Sequence, residues 1–179
     1  MLRLFHIRPF DSFQIVGISS PLTGIQIKGK LSSQTFPGGI TMYSQIILAY
    51  DGSEHAKKAA ERACDIASGT GAKITVITAY PSLSSIFFFD EEISKEEMKN
   101  YWIERASEVN PLLEEKGIAY DLIVEEGDPR EMILEKAGEL NADLIVIGSR
   151  GLNTYQRLML GAVSQGISTH ARCDVLIVK

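Results

Sequence analysis

Cysteine is scarce in this sequence, and the two that occur form no recognisable pattern. Cys64 and Cys173 are the only cysteines among 179 residues, and they are neither close together nor spaced as C-x-x-C. A disulfide framework needs several cysteines, and a structural zinc site needs a set of closely spaced ligands. Neither is expected, so each cysteine is interpreted as a small buried apolar residue.

Long apolar runs and an excess of basic residues are also missing. The longest apolar candidates, residues 86–89 and 144–147, are far shorter than the roughly 20 residues that span a bilayer. The first ten residues lead into no continuous apolar region, so no secretory signal is expected and the cytoplasm is the default location. The formal net charge of -5 disfavours a nucleic-acid partner, because phosphates are bound by basic faces.

Standard catalytic signatures are absent from the sequence as well. It contains no GxxxxGKS phosphate loop, no GxSxG nucleophile elbow, no HExxH metal motif and no set of kinase motifs. His55 and His170 have no convincing second ligand or nucleophile, so both are interpreted as packed or solvated side chains. The sequence therefore argues against the common hydrolase, metalloprotease and kinase classes.

The first 41 residues differ from the rest and predict an N-terminal appendage. Ser, Thr, Gly and Pro are scattered through them without a helical period, and residues 13–18 and 25–31 could form a weak hairpin. Because a complete domain pattern begins just after Met42, one hypothesis is that Met42 is the natural start. An intact residue 1 in a mass spectrum of the native protein would exclude it.

From residue 42 onward, apolar runs alternate with helical patterns. Helix starts are marked by Ser53, by Ser94 with Glu97, and by Asp128 with Pro129, and Gly69 is expected to close the first helix. The order βαβαβαβαβ predicts an α/β domain with an open, mostly parallel five-stranded sheet and helices on both faces. Strands are expected at 44–49, 73–79, 118–124, 143–148 and 175–178, and helices at 53–68, 94–116 (interrupted by Pro111), 128–140 and 161–172.

Two loops that follow expected strands carry residues suited to binding an anion. Gly148 and Gly151 lie after the fourth strand, nine residues follow, and Gly161 then begins a helix. Glycine lets main-chain N–H groups approach phosphate oxygens, and a helix start adds unpaired N–H donors and a positive dipole end. Since ligands of parallel sheets sit outside the carboxyl ends of strands, this loop and Asp51 after the first strand predict one site.

Simpler interpretations of the same residues stay open at this point. Gly148 and Gly151 could end a strand and shape a surface loop. Asp51 could be a turn residue or a favourable charge at a helix start. Ser164 could be an ordinary first-turn residue, and an arginine such as Arg150 is commonplace in an exposed loop.

The motif GSRG, nine residues and GAVS resembles the nucleotide-binding signature of universal stress proteins. The segments YSQIILAYDGSE, AKITVITAY and CDVLIVK resemble other parts of that family, so the resemblance covers residues 42–179. It implies a Rossmann-type sheet of the adenine nucleotide α-hydrolase-like kind, which binds ATP with Mg²⁺ or Mn²⁺ carried by the nucleotide. It also implies a homodimer formed through the last strand, residues 175–178.

The resemblance further implies which residues contact the nucleotide. Asp51 would lie by the ribose and the metal-bound phosphates, and the main chain of Ala79 would contact the adenine. Ala162 departs from the family pattern, because a serine or threonine usually supplies a hydroxyl there. The implied nucleotide-binding set is Ala49, Tyr50, Asp51, Ala79, Gly148, Arg150, Gly151, Gly161, Ala162, Val163 and Ser164.

The sequence favours an ATP-binding regulatory protein, in a stress response, over an enzyme. Two alternatives remain. One is a weak ATPase or a nucleotidyl or phosphoryl transferase that uses the same site. The other is an interaction module that has lost nucleotide binding because of Ala162.

Overall fold

The computed structural model describes residues 42–82, 94–152 and 161–179. The expected appendage, residues 1–41 with its hairpin, lies outside these ranges and stays a prediction. Within them the strands are β1 (Gln45–Ala49), β2 (Lys73–Tyr80), β3 (Tyr120–Glu126), β4 (Leu144–Gly148) and β5 (Asp174–Val178). The helices are α1 (Glu54–Thr70), α2 (Lys95–Ser107), α3 (Asn110–Glu115), α4 (Pro129–Glu139) and α5 (Ala162–His170).

The five strands form one parallel sheet in the order β3-β2-β1-β4-β5. Strand β1 lies at the centre, where Leu48 is paired with Val76 of β2 and with Val146 of β4. Residues 46–49 and all of β4 are buried, as expected for strands that helices cover on both faces. The predicted fold class is therefore confirmed.

Helices pack on both faces of the sheet and divide the core in two. On one face α1 presents small buried residues at steps of three and four, including Ala59, Ala63 and Ala67, which allow its main chain to approach the sheet closely. On the other face Ile133 of α4 and Ile167 of α5 pack against the sheet. None of the helices that the structure describes is long and apolar enough to cross a membrane.

The helix starts are capped as the sequence predicts. Ser53 Oγ accepts a hydrogen bond from the Ala56 N–H at 3.2 Å, and Ser94 and Glu97 form a reciprocal capping box. Asp128 Oδ1 accepts from the Arg130 and Glu131 N–H groups at 2.9 and 3.0 Å. Because each cap is a local contact, the sequence pattern was sufficient to find it.

Two helix boundaries are set by glycine and proline, which disfavour continuation of a helix. The predicted end of α1 at Gly69 is wrong, since the helix continues to Thr70 and Gly71 closes it with φ of 75°. Gly71 stands directly before buried Ala72, so the left-handed turn falls where the chain must return to the sheet. Pro111 interrupts the next helical segment as predicted, and α3 starts beside it.

The strand order creates a crevice between β1 and β4. From β1 the chain passes through α1 to β2, whereas from β4 it passes through α5 to β5 on the opposite side. The two loops that leave these neighbouring strands therefore diverge. A ligand site in a sheet of this kind is expected where they part.

Candidate functional site

A cavity of about 540 Å³ opens at the carboxyl ends of β1 and β4. Every residue that the sequence predicted for nucleotide binding lies in its wall. The structure thus brings together the loops after β1, β2 and β4 and the start of α5. Sequence reasoning missed the other described lining residues, which are Ile77, Pro81, Trp102, Gly127, Pro129, Ile133, Ile147 and Leu152.

Asp51 joins the two diverging loops. Its Oδ1 accepts a hydrogen bond from the Ser53 N–H at 3.0 Å, and its Oδ2 accepts one from the Leu152 N–H at 3.2 Å. A carboxylate has about four lone-pair positions, so two remain for a cation or a hydroxyl group. Asp51 is thus more than a turn residue, because it bonds across the crevice to the loop after β4.

The main chain around Asp51 is held by three further hydrogen bonds. The Tyr50 N–H donates to the Ile77 carbonyl oxygen at 3.0 Å, and Thr78 Oγ1 donates to the Tyr50 carbonyl oxygen at 2.6 Å. Arg105 Nε of α2 donates to the Asp51 carbonyl oxygen at 2.9 Å. Burial raises the pKa of Tyr50 to about 12, so its phenol is neutral and belongs to the core. Tyr50 therefore serves the cavity by fixing the loop's shape.

The two glycines of the GSRG motif are required for different structural reasons. A Cβ on Gly151 would lie 2.6 Å from Asp51 Oδ2, at the cavity. A Cβ on Gly148 would lie 2.8 Å from the His55 carbonyl carbon and 3.0 Å from the Ala56 nitrogen, both in the main chain of α1. Gly148 is thus required by the packing of β4 against α1, a reason that the sequence did not reveal.

The start of α5 faces the cavity without a side-chain cap. Gly161 is its N-cap, and no side chain of the described residues caps the helix there, whereas Ser53, Ser94 and Asp128 cap α1, α2 and α4. The first N–H groups of any helix lack intrahelical acceptors. Those of 162–164 therefore form a cluster of donors at the positive end of the helix dipole.

Ser164 stabilises this helix start through hydrogen bonds of its side chain. Its side chain is buried, and its hydroxyl donates to the Gly161 carbonyl oxygen at 3.0 Å and lies 3.3 Å from that of Ser149. The Gly161 N–H also donates to the Ser149 carbonyl oxygen at 2.8 Å. These bonds bring the end of β4 and the start of α5 together.

The opposite end of the cavity is apolar. It lies toward β2 and β3 and is formed by Ala79 near the end of β2, by Pro81 and Gly127 just after β2 and β3, by Pro129 at the start of α4, and by Trp102 of α2. The cavity therefore has one end rich in main-chain N–H donors and one end suited to a flat apolar group.

Acidic ligands for a metal ion are few at the cavity. In the parts of the chain that the structure describes, no three His, Cys, Asp or Glu residues are grouped to hold a metal. Asp51 is the one acidic residue of the described lining. A divalent metal here would need most of its ligands from the bound molecule and water, which is how Mg²⁺ is commonly held beside phosphates.

Comparisons with known proteins agree with this architecture. The family model described as the universal stress protein family matches residues 42–179. A Thermus aquaticus protein described as "Universal stress protein in QAH/OAS sulfhydrylase 3'region" is 38% identical over 143 residues, which is 77% of this chain and 100% of that protein.

Solved structures show the same fold. A universal stress protein in complex with cAMP is 28% identical, with a TM-score of 0.60 over 76% of this chain and 96% of that one. A universal stress protein family protein from Arabidopsis thaliana with AMP bound is 22% identical, with a TM-score of 0.55 over 76% of this chain and 91% of that one. The family match over residues 42–179 and the 38% identical relative show that this chain belongs to the universal stress protein family.

Proposed function

We propose that residues 42–179 bind an adenine nucleotide, ATP together with Mg²⁺ or Mn²⁺, and act in the cytoplasm as a nucleotide-dependent regulatory protein. The observation that carries this proposal is the start of α5, which opens without a side-chain cap onto the cavity at the crevice between β1 and β4. The complexes of family members with cAMP and AMP support it, because those ligands share the adenine, ribose and phosphate groups.

Each end of the cavity suits one part of the nucleotide. The N–H groups of 162–164 suit phosphate oxygens, since helix starts bind anions through such donors. The apolar end, with the main chain of Ala79, suits the base. Asp51 lies between the two, where a carboxylate can accept a hydrogen bond from a ribose hydroxyl or bind a divalent cation. A bound metal would supply positive charge that offsets repulsion between Asp51 and the phosphates.

The regulatory role is favoured over enzymatic turnover by the residue types around the cavity. Asp51 is the one acidic residue of the described lining, which contains no lysine and no histidine, so no catalytic base and lysine stand together there. Time-resolved analysis of nucleotide incubated with the purified protein tests this part. Intact ATP after long incubation is expected, and steady turnover that Asp51→Ala abolishes would show an enzyme.

Calorimetry with ATP and magnesium tests nucleotide binding itself. Saturable binding at one site per chain is expected, and acid extraction of the purified protein should release an adenine nucleotide. Absence of saturable binding up to millimolar ATP would contradict the proposal. Cell fractionation would test residence in the cytoplasm.

Ala162→Ser should strengthen ATP binding about 2- to 12-fold, the equivalent of one added hydrogen bond of about 0.5–1.5 kcal/mol. Ala162 is exposed at the cavity, so the hydroxyl has room to reach a phosphate. Ala171→Ser, at the far end of α5, is the matched control and should leave the affinity unchanged. Calorimetry with ATP and with adenosine makes the measurement, because a gain that persists with adenosine would not come from the phosphates.

We also propose that β5 forms a homodimer contact with its copy in a second chain. In the described sheet β5 pairs only with β4, so its outer main-chain N–H and C=O groups have no strand partner there. Pairing with a second copy would satisfy them. Sedimentation at several concentrations is the test, and a monomer at all of them would exclude this contact.

A further inference from the structure

Trp102 is the single tryptophan of the chain, and it lines the apolar end of the cavity. It stands in the middle of α2, a helix that contributes no other residue to the described lining. Neither the sequence motif nor the family resemblance pointed to this helix. The motif and the family resemblance therefore do not explain why Trp102 lines the cavity.

Helix α2 holds Trp102 in a fixed position. Met98 and Ala106, four residues before and after it, are buried, so all three residues lie on the face that packs on β2 and β3. One turn later, Arg105 bonds to the Asp51 carbonyl oxygen at 2.9 Å. Helix α2, which carries Trp102, is thus anchored through Arg105 to the same loop that carries the carboxylate of the site.

Neighbouring aromatic rings restrict the orientation of the indole. The ring of Tyr80 lies 6.4 Å from it at an interplanar angle of 12°, and the ring of Tyr101 meets it edge-on at 5.5 Å. Tyr80 ends the strand that contains Ala79, the residue expected at the base. The wall formed by Trp102 is therefore continuous with the strand end at which the base is expected.

The indole N–H shows that packing alone does not explain a tryptophan at this position. Nε1 is buried, and in the described part of the chain it has no hydrogen-bond acceptor, which costs free energy. Phenylalanine would fill much of the same space without burying an unpaired donor. What tryptophan adds is a larger aromatic surface, and part of that surface faces the cavity.

We propose that Trp102 is a specificity-determining residue that packs against the base of the bound nucleotide and favours a purine over a pyrimidine. This rests on the proposed function. A purine has the larger ring surface and gains more from contact with an indole, so loss of the indole removes more affinity from ATP than from CTP.

Titration of the wild-type chain with ATP and magnesium, followed by tryptophan fluorescence, is the first test. Since Trp102 is the only tryptophan, any saturable change reports on this residue, and the midpoint should match the dissociation constant from calorimetry. Saturable binding in calorimetry without a change in fluorescence would overturn the inference while leaving the proposed function in place. Absence of binding in both would overturn both.

Variants form the second test. Trp102→Leu should weaken ATP binding about 5- to 150-fold, the range for loss of one base–aromatic contact, and should narrow the ratio of ATP to CTP affinity. Trp102→Phe removes the unpaired N–H, so it should unfold no more easily than wild type yet bind ATP several-fold more weakly. Ile103→Ala is the matched control, because Ile103 is the exposed neighbour on α2 and is not part of the described lining.

Two outcomes would overturn the assignment of Trp102. One is wild-type ATP affinity in both Trp102 variants. The other is an equal loss for ATP and CTP in Trp102→Phe together with a lower unfolding temperature, which would mark Trp102 as a packing residue.

Discussion

Gly151→Val should abolish ATP binding while leaving the domain folded. The new Cβ would lie 2.6 Å from Asp51 Oδ2, and valine adds two methyl groups beyond it. The carboxylate must then move, which breaks its hydrogen bond with the Leu152 N–H, and the side chain fills cavity volume. Overpacking and the lost charge-assisted bond together predict a loss of affinity on the order of 100-fold or more. Calorimetry with ATP and magnesium measures it.

The fold should tolerate this change because Gly151 is exposed. Gly69→Val is the matched control. A Cβ there would meet no atom of the described residues within 4 Å, and α1 lies outside the described lining of the cavity. That variant should bind ATP as wild type does. Parental affinity in Gly151→Val would mean that the loop after β4 does not approach the nucleotide.

Gly148→Ala should instead destabilise the folded state by about 1–3 kcal/mol, the usual range for overpacking, or by more. Gly148 is buried, and the atoms that its Cβ would meet are main-chain atoms of His55 and Ala56, at 2.8 and 3.0 Å. Main-chain atoms of a packed helix cannot rotate aside as a side chain can. Strand β4 and helix α1 must therefore separate. Urea unfolding of the purified variants measures the change.

Gly138→Ala in α4 is the matched control for this second prediction. Within the described structure nothing lies within 4 Å of a Cβ at Gly138, so alanine should stabilise the helix by about 0.5–1 kcal/mol. Wild-type stability in Gly148→Ala would contradict the close approach of β4 and α1.

Gly151→Val and Gly148→Ala distinguish a role in ligand binding from a role in packing, which the GSRG motif does not distinguish. From the sequence, both glycines were assigned to the approach of phosphate. The structure gives Gly148 a contact with α1 and Gly151 a contact with Asp51. A motif can therefore be correct about where a site lies and silent about which of its residues support the fold.

Features set by neighbouring residues could be predicted from the sequence. The apolar run of β1, the Ser53 cap and the Asp128–Pro129 helix start depend on contacts within four residues, so their patterns are visible along the chain. The order of strands and helices followed from these features. The shared edge of the sheet then placed Asp51 and Gly151 in one cavity wall.

Features set by distant residues could not be predicted. Along the sequence Trp102 is one apolar residue within a mostly polar helix, and only the packing of α2 on β2 and β3 places it at the cavity. The hydrogen bond between Asp51 and Leu152 joins loops about 100 residues apart, and no local pattern encodes it. The choice of Gly71 over Gly69 depended on where buried Ala72 had to lie.

Because α5 starts without a side-chain cap from the described residues, the stability of the folded chain should depend on whether the cavity holds a ligand. A serine at Gly161 would stabilise the helix by itself, by roughly a few tenths of a kcal/mol, in every copy of the protein. Without one, a bound anion would supply the missing acceptor, so stability would rise with the free ligand concentration. Empty copies would then unfold more often and meet proteases sooner, and the cell's nucleotide supply would influence how many molecules persist.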